Sequence, residues 1–405
     1  MTVRTSSSSP SDSRTAYALS LTPLPERSRL QAEWLALESR SDASFFTSWA
    51  WIGVWLDTLP PEVQPRLLQA RQGEQTVGLA LVVDGPPRQR FGLRFCATAH
   101  LHATGRPEYD ILTVEHNDFL LDRAQAEAVR AAMLGHWLGA LRGVTEVSVS
   151  GLAGAGWPAG VELSGRRKVT REDWVRQSYA VDLQAVRDAG GDFLKCISAN
   201  TRSQIRRSMK EYGQLGAITL EAASTVAQGL DWLDRLAALH QAHWVSQGQP
   251  GAFSNAFFTR FHRTLVERHL LDGGVQLLRV AVGEHDLAFL YSFVRGGRVY
   301  FYQSGLEYGL IEKHARPGLV AHVLAAQYNA SQGHRVYDFM AGESRYKVNL
   351  ATLDEQMTWT TLRTSAWRFD LEAALRRRKQ RQLAAAAAAA ATAQAPAAPS
   401  PPAAD

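Results

Sequence analysis

Between Arg298 and Lys347 the chain gathers groups able to hold an anion, move a proton and steady a developing negative charge. The stretch reads RVYFYQSGLEYGLIEKHARPGLVAHVLAAQYNASQGHRVYDFMAGESRYK. Its alternation predicts a strand over 298–304, with Tyr300, Tyr302 and Ser304 on one face and Val299, Phe301 and Gln303 on the other. A polar loop carrying Lys313 and Arg316 follows, ends in Pro317-Gly318 and opens a helix over 318–332. The free N–H groups at a helix N-terminus sit at the positive end of its dipole and attract phosphate. Arg316 can grip a pyrophosphate with two donors. Pro317 suits a first turn because it has no N–H to lose, and Gly318 lets a ligand approach the backbone. The returning strand, 335–340, holds Asp338 between Tyr337 and Phe339, where an unpaired charge would be costly. Asp338 is therefore expected to be paired, with the arginine-rich helix over 200–212 as a source of the partner. Gly342 then turns the chain so that Tyr346 and Lys347 point back to the same cleft. Such a unit suits a phosphorylated ligand.

The elements that must position these groups come in an order that occurs twice. In the first half a strand at 17–21 precedes helices at 26–38 and 48–59, the second rich in tryptophan and capped by Ser48. Strands at 66–71, 76–83 and 90–97 follow, then a long loop over 100–122, a helix at 123–141 and a strand at 146–150. The second half opens with a strand at 179–183 and helical stretches at 184–195 and 200–212. It continues with a strand at 217–222 and helices at 224–245 and 254–271, the latter capped by Ser254. A meander of 275–282, 287–294 and 298–304 leads into the unit above, and a last strand lies near 356–363. The repeat is one of pattern and not of residues. The reading is an α/β (α+β) chain of two tandem domains, each a mixed, mostly antiparallel sheet flanked by helices. Its divisions are a serine-rich disordered arm (1–14), a first domain (15–175), a second domain (176–367), a basic helix (368–383) and an Ala/Pro-rich disordered tail (384–405).

Composition excludes several classes. The 405 residues, 45% hydrophobic and 20% charged, allow two ordinary globular cores. The net charge is +5, but Arg376, Arg377, Arg378, Lys379, Arg381 and Asp405 leave the segment 376–405 at +4. Residues 1–375 therefore carry about +1, and no nucleic-acid partner is expected. Cys96 and Cys196 show neither disulfide nor metal-ligand spacing, no apolar run reaches the length of a membrane span, and the N-terminus lacks the apolar core of a secretory signal. A cytoplasmic chain without a metal is expected. No Ser-His-Asp arrangement or G-x-S-x-G stands out. On the helix over 200–212, Ile205, Met209 and Tyr212 form a packing face, while Arg202, Arg206, Arg207 and Lys210 are free to meet an acidic or nucleotide-linked acceptor. His240 falls on the apolar stripe of its helix, and His243 falls off it and can face the cleft.

This order of elements resembles the GNAT acyltransferase fold. Particular stretches resemble its FemAB/CelD-like branch, the cellulose- and exopolysaccharide-associated acetyltransferases with two such domains in tandem. They are SANTRSQIRRSMKEYG (198–213), LHQAHWVSQGQPGAF (239–253), YFYQSGLEY, ARPGLVAH and YDFMAGESRYK. The resemblance covers about 179–350 in residues and the first half only in pattern. It implies transfer of an acyl group from acyl-CoA or acetyl-CoA to an amine or hydroxyl of a small-molecule, saccharide or cell-envelope acceptor. It places Gln303 and Ser304 along the thioester, with Lys313, Arg316, Pro317 and Gly318 at the donor phosphates. Glu307 becomes the candidate general base, Lys347 the group that steadies the oxyanion, and Tyr346 the proton source for the leaving thiolate. Asp338 belongs to the same motif. Arg202, Arg206, His243 and Tyr302 fall to the acceptor side. One departure stands out: Arg316-Pro317-Gly318 has one glycine where the family's phosphate cradle has two. Two alternatives accompany the reading: a Fem-type peptidyltransferase that uses aminoacyl-tRNA, and a degenerate module that binds without catalysing.

Overall fold

The computed structural model describes residues 17–90, 92–143, 145–154, 156–157, 169–364 and 367–393. The arm 1–14 and the segment 394–405 lie outside the described residues. The first half contains β1 (Ala18–Pro23), α1 (Arg27–Glu38), α2 (Trp49–Thr58), β2 (Arg66–Gln72), β3 (Gln75–Arg90) and β4 (Leu93–Leu101). A short β5 (Leu120–Leu121), α3 (Ala126–Ala140) and β6 (Thr145–Ala153) complete it. The second half begins with β7 (Val169–Asp182), α4 (Leu183–Asp188), α5 (Ala199–Tyr212) and β8 (Ile218–Ala222). Then come α6 (Val226–Ser246), α7 (Ala256–His269), β9 (Val275–Val282), β10 (His285–Arg295) and β11 (Arg298–Leu306). The chain continues with α8 (Pro317–Ser331), β12 (Val336–Ala341), α9 (Arg345–Leu350), β13 (Leu353–Thr364) and α10 (Trp367–Ala393).

The strands join one mixed sheet in the order β1-β2-β3-β4-β6-β13-β7-β12-β11-β10-β9-β8, with β5 against β3. Each half contributes an antiparallel run of four, β1 to β4 or β8 to β11, followed by a parallel partner, β6 or β12. A helix crossover supplies each parallel step, as the connection requires. At the centre one strand joins the halves. β7 pairs with β12 inside the second half, while β13 reaches past β7 to pair with β6 of the first. β7 and β13 pair antiparallel with each other from Leu353↔Ala180 to Thr364↔Val169. The two expected mixed sheets are joined edge to edge into one. The expected boundary at 175/176 falls inside β7, because alternation identifies a strand but not its partner.

Four helices, α1, α2, α6 and α7, pack with the sheet around one core shared by both halves. The tryptophan-rich helix is its centre: the Trp51 and Phe261 rings lie 4.6 Å apart, and Phe45 stacks on Phe293 at 4.6 Å. Ser48 precedes α2 but makes no side-chain cap; its hydroxyl donates to the Phe45 carbonyl, and Glu38 instead accepts the Trp49 N–H at 2.6 Å. Asn255, not Ser254, caps α7. A second core lies under α4, α5, α8 and α9, and a third under α3. α10 continues past residue 383 to Ala393 as helix, where a disordered tail was expected. No helix among the described residues is long and apolar enough to cross a membrane.

Candidate active site

The site begins where a parallel pair gives out. β11 and β12 pair only through Arg298↔Val336, Val299↔Tyr337 and Tyr300↔Asp338, and beyond that point the strands diverge. Tyr302 is an extra residue of β11, since Tyr291 faces Gln303 while Ser292 faces Phe301. This bulge ends the strict alternation expected there and re-aims the residues that follow. Between the diverging strands lies a cleft of about 410 Å³, and Tyr302, Gln303, Ser304, His243, Tyr346 and Lys347 all line it.

A second irregularity lies across the cleft. Met340 adopts φ 65°, a left-handed conformation that costs a bulky residue about 1 kcal/mol or more. Several bonds hold it there. The Met340 N–H donates to Asp338 Oδ1 at 2.7 Å, and the Ala341 N–H donates to Glu115 Oε2 at 2.8 Å. The carbonyls of Met340 and Ala341 accept from Lys347 Nζ at 3.1 and 2.8 Å. Two of the three ammonium donors are thus spent on positioning, and one is left for the cleft. Burial lowers the Lys347 pKa, while the charges of Glu115 and Asp338 push it back up.

Glu115 comes from the first half, in the loop that follows β4. His102, Thr113 and His116 in that loop all have positive φ, between 45° and 50°. The loop is seated by Asn117, whose N–H donates to Gly151 O at 2.9 Å. Gly151 has no Cβ to meet Glu115 Cα, which such an atom would approach to 2.7 Å. Glu115 is 6% exposed and lines the cleft, with only Oε2 hydrogen-bonded. Burial raises its pKa first of all. The Ala341 N–H opposes the shift, the Asp338 charge adds to it, and Lys347 opposes it. A carboxyl whose pKa is raised in this way is a better proton acceptor than an exposed glutamate. Sequence reasoning missed it, although a connection as long as 100–122 is itself a sign of function.

Asp338 is fully buried and paired, but not with the arginine-rich helix. His116 Nε2 and Arg298 Nη1 each lie 2.7 Å from Oδ2, and Arg298 also holds Glu355 at 2.6 Å. Hydrogen bonding and charge from His116, then Arg298, outweigh desolvation and hold Asp338 down to about 2. It fixes the bulge that aims Lys347 and does not line the cleft, so it is a positioning residue. Glu307 turns away: its carboxylate accepts the Gly309 N–H at 2.6 Å at the end of β11, outside the cleft lining. Tyr302 donates its hydroxyl to Leu112 O, which ties β11 to the intruding loop. Tyr346 stacks on the buried His322 ring at 5.2 Å, and His243 stacks on Tyr308 at 5.5 Å. His240, expected in the core, is buried and also lines the cleft.

Pro317 is the first residue of α8, and Arg316 precedes it without a side-chain cap, so the first N–H groups of the helix remain open. Gly318 abuts Leu306, a cleft residue at the end of β11: a Cβ there would lie 3.2 Å from Leu306 Cδ1. Lys313 and Arg316 are exposed beside this terminus. Arg202 and Arg206 lie on α5, which packs against α8, and neither lines the cleft. No group of histidine, cysteine and acidic side chains among the described residues could hold a metal ion.

Residues 199–348 match the family described as "Acetyltransferase (GNAT) domain". No curated protein matches the chain. Among solved structures, FemX is 11% identical with a TM-score of 0.49, over 84% of this chain and 96% of that one. L-PGS from Bacillus licheniformis is 9% identical at 0.47, over 81% and 90%. A tandem GNAT protein from the clavulanic acid biosynthesis pathway is 12% identical at 0.42, over 85% and 98%. Residues 199–348 thus match an acetyltransferase (GNAT) domain, and β11 and β12 lie within that span, while Ile111, Thr113 and Glu115 line the cleft from outside it.

Proposed function

We propose that this cleft transfers an acyl group from acyl-CoA to an amine or hydroxyl. The observation that carries the reading is the meeting of Glu115 and Lys347, one from each half, in the wedge that opens beside the N-terminus of α8. The open N–H groups of α8, with Lys313 and Arg316, suit the donor's phosphates. The remaining donor of Lys347 steadies the carbonyl oxygen as it gains charge. Glu115 Oε1 takes the acceptor's proton as the new bond forms, in place of Glu307. As the C–S bond breaks, Tyr346 returns a proton to the thiolate. Arg316-Pro317-Gly318 has one glycine where the family's cradle has two, and Pro317 itself offers no N–H.

Thermal-shift titration of the full chain with acetyl-CoA and longer acyl-CoAs tests the donor. A ligand at a hundred times its Kd stabilises by about 2.7 kcal/mol. The midpoint is expected to rise with concentration, and less so in Arg316→Ala. No shift with any acyl-CoA would sink the reading. One observation favours a second donor: Arg202, Arg206, Arg207 and Lys210 on α5 make no ion pair among the described residues, a face that suits a polyanion such as aminoacyl-tRNA. Salt-dependent tRNA binding without any CoA shift would select that donor.

A further inference from the structure

The loop that delivers Glu115 also walls a second cavity, of about 300 Å³, and Thr113 lines both. Trp55, Tyr109 and Trp359 supply its aromatic walls, and His102, Ser148 and Ser150 supply polar ones. We propose that this cavity seats a neutral hydroxylated ring, a saccharide unit or cyclic polyol of the acceptor, whose reacting group reaches Glu115 past Thr113. The inference rests on the acyl-transfer reading and names the acceptor class for it.

The polar groups decide the ligand. His102 is 1% exposed, and its Nδ1 lies 2.8 Å from Asn117 Oδ1. Asn117 Nδ2 donates to Leu101 O at 3.3 Å, so Oδ1 is the acceptor and His102 Nδ1 carries the proton. Burial lowers His102 to about 4, which keeps the ring neutral and leaves a lone pair on Nε2. That atom is buried with no hydrogen-bond partner among the described residues. Only an O–H or N–H from a ligand or solvent can satisfy it. Ser148 and Ser150 lie on the same face of β6, half-buried, and no group among the described residues hydrogen-bonds to either hydroxyl. His100, opposite Ser148 in the parallel register, is also kept neutral by burial.

Charge is absent where a phosphate would need it. No lysine or arginine among the described residues lines the cavity. Its one carboxylate, Asp110, is already spent on the Thr104 N–H and hydroxyl and on the Gly105 N–H, at 2.7 to 2.8 Å. Aromatic faces beside uncharged hydrogen-bonding groups match a ring with apolar C–H faces and hydroxyls around its edge. A phosphorylated or carboxylate ligand finds no partner.

Titration of the full chain with glucose, N-acetylglucosamine and myo-inositol, followed by tryptophan fluorescence without any CoA, tests this directly. At least one ring is expected to give a saturable change, with glucose 6-phosphate binding more weakly than glucose. Ser148→Ala with Ser150→Ala should weaken binding about tenfold, two modest hydrogen bonds' worth. Trp359→Ala should also weaken binding, read by calorimetry because it removes a fluorophore. Silence toward all three rings, preference for the phosphorylated sugar, or unchanged affinity in both variants would overturn the inference. Because no donor is present, ring binding without a CoA shift would condemn only the transfer chemistry, and a CoA shift without ring binding only this subsite.

Discussion

At the scale of single residues, the site turns on one carboxyl that no motif announces. Glu115 has one oxygen on the Ala341 N–H and the other free in the cleft, and burial raises its pKa. A general base works only when deprotonated. The rate should therefore climb with pH through the raised pKa, and the acid limb of kcat/KM should lie above the ordinary glutamate value of about 4.3. Glu115→Gln keeps an acceptor for Ala341 but no base, and should cut kcat/KM by about 100-fold or more with the circular dichroism unchanged. A variant of wild-type rate, or an acid limb that survives the substitution, would remove Glu115 from the mechanism. The lesson about legibility is specific. Gln303 and Ser304 on β11, His243 on α6 and Tyr346 and Lys347 on α9 line the cleft, and each lies in an element whose pattern is local. Glu115 and His116 reach the site through a loop shaped by positive φ at His102, Thr113 and His116, residues that carry no turn signal in sequence. Asp338 was rightly expected to need a partner, but Arg298 and His116 become neighbours only once β11, β12 and that loop have assembled.

At the scale of elements, the cleft depends on how closely α6 lies on β11. Gly305 is the contact: a Cβ there would stand 2.6 Å from Leu236 O and 2.8 Å from Leu236 Cα. Both are backbone atoms of α6, which no rotamer change can move aside. Gly305→Ala must therefore lift the helix or shift the strand, a strain of about 1–3 kcal/mol. The same helix carries His240, His243 and Trp244 along the cleft. The expected result is a lower denaturant midpoint together with a raised KM for the acceptor. Wild-type stability and KM would mean that the α6–β11 contact is not what sets the cleft wall. The hairpins and helices were legible from period and turns, whereas this approach distance was not, since a glycine inside a strand does not reveal what leans on it.

At the scale of the whole molecule, the pairing of β13 with both β6 and β7 makes the halves inseparable. β6 finds its outer neighbour in β13, more than two hundred residues later, and β13 pairs with β7 on both sides of the expected domain boundary. The shared core of α1, α2, α6 and α7 adds a second tie, and Glu115 and Lys347 add a third at the cleft itself. A chain cut at 175/176 would split β7, leave β13 with part of its partner and expose the edge of β6 in the other piece. Open edges of this kind recruit other chains. Two consequences can be measured. Residues 176–367 expressed alone should aggregate or lack cooperative unfolding. The full chain should unfold in denaturant with coincident transitions by tryptophan fluorescence and far-ultraviolet circular dichroism, because neither half retains a complete sheet without the other. A soluble second half with its own sharp transition, or two resolved transitions in the full chain, would show that the β13–β6 pairing is peripheral. In that case the supply of Glu115 by the first half would be a docking event between independent domains and not a property of one fold.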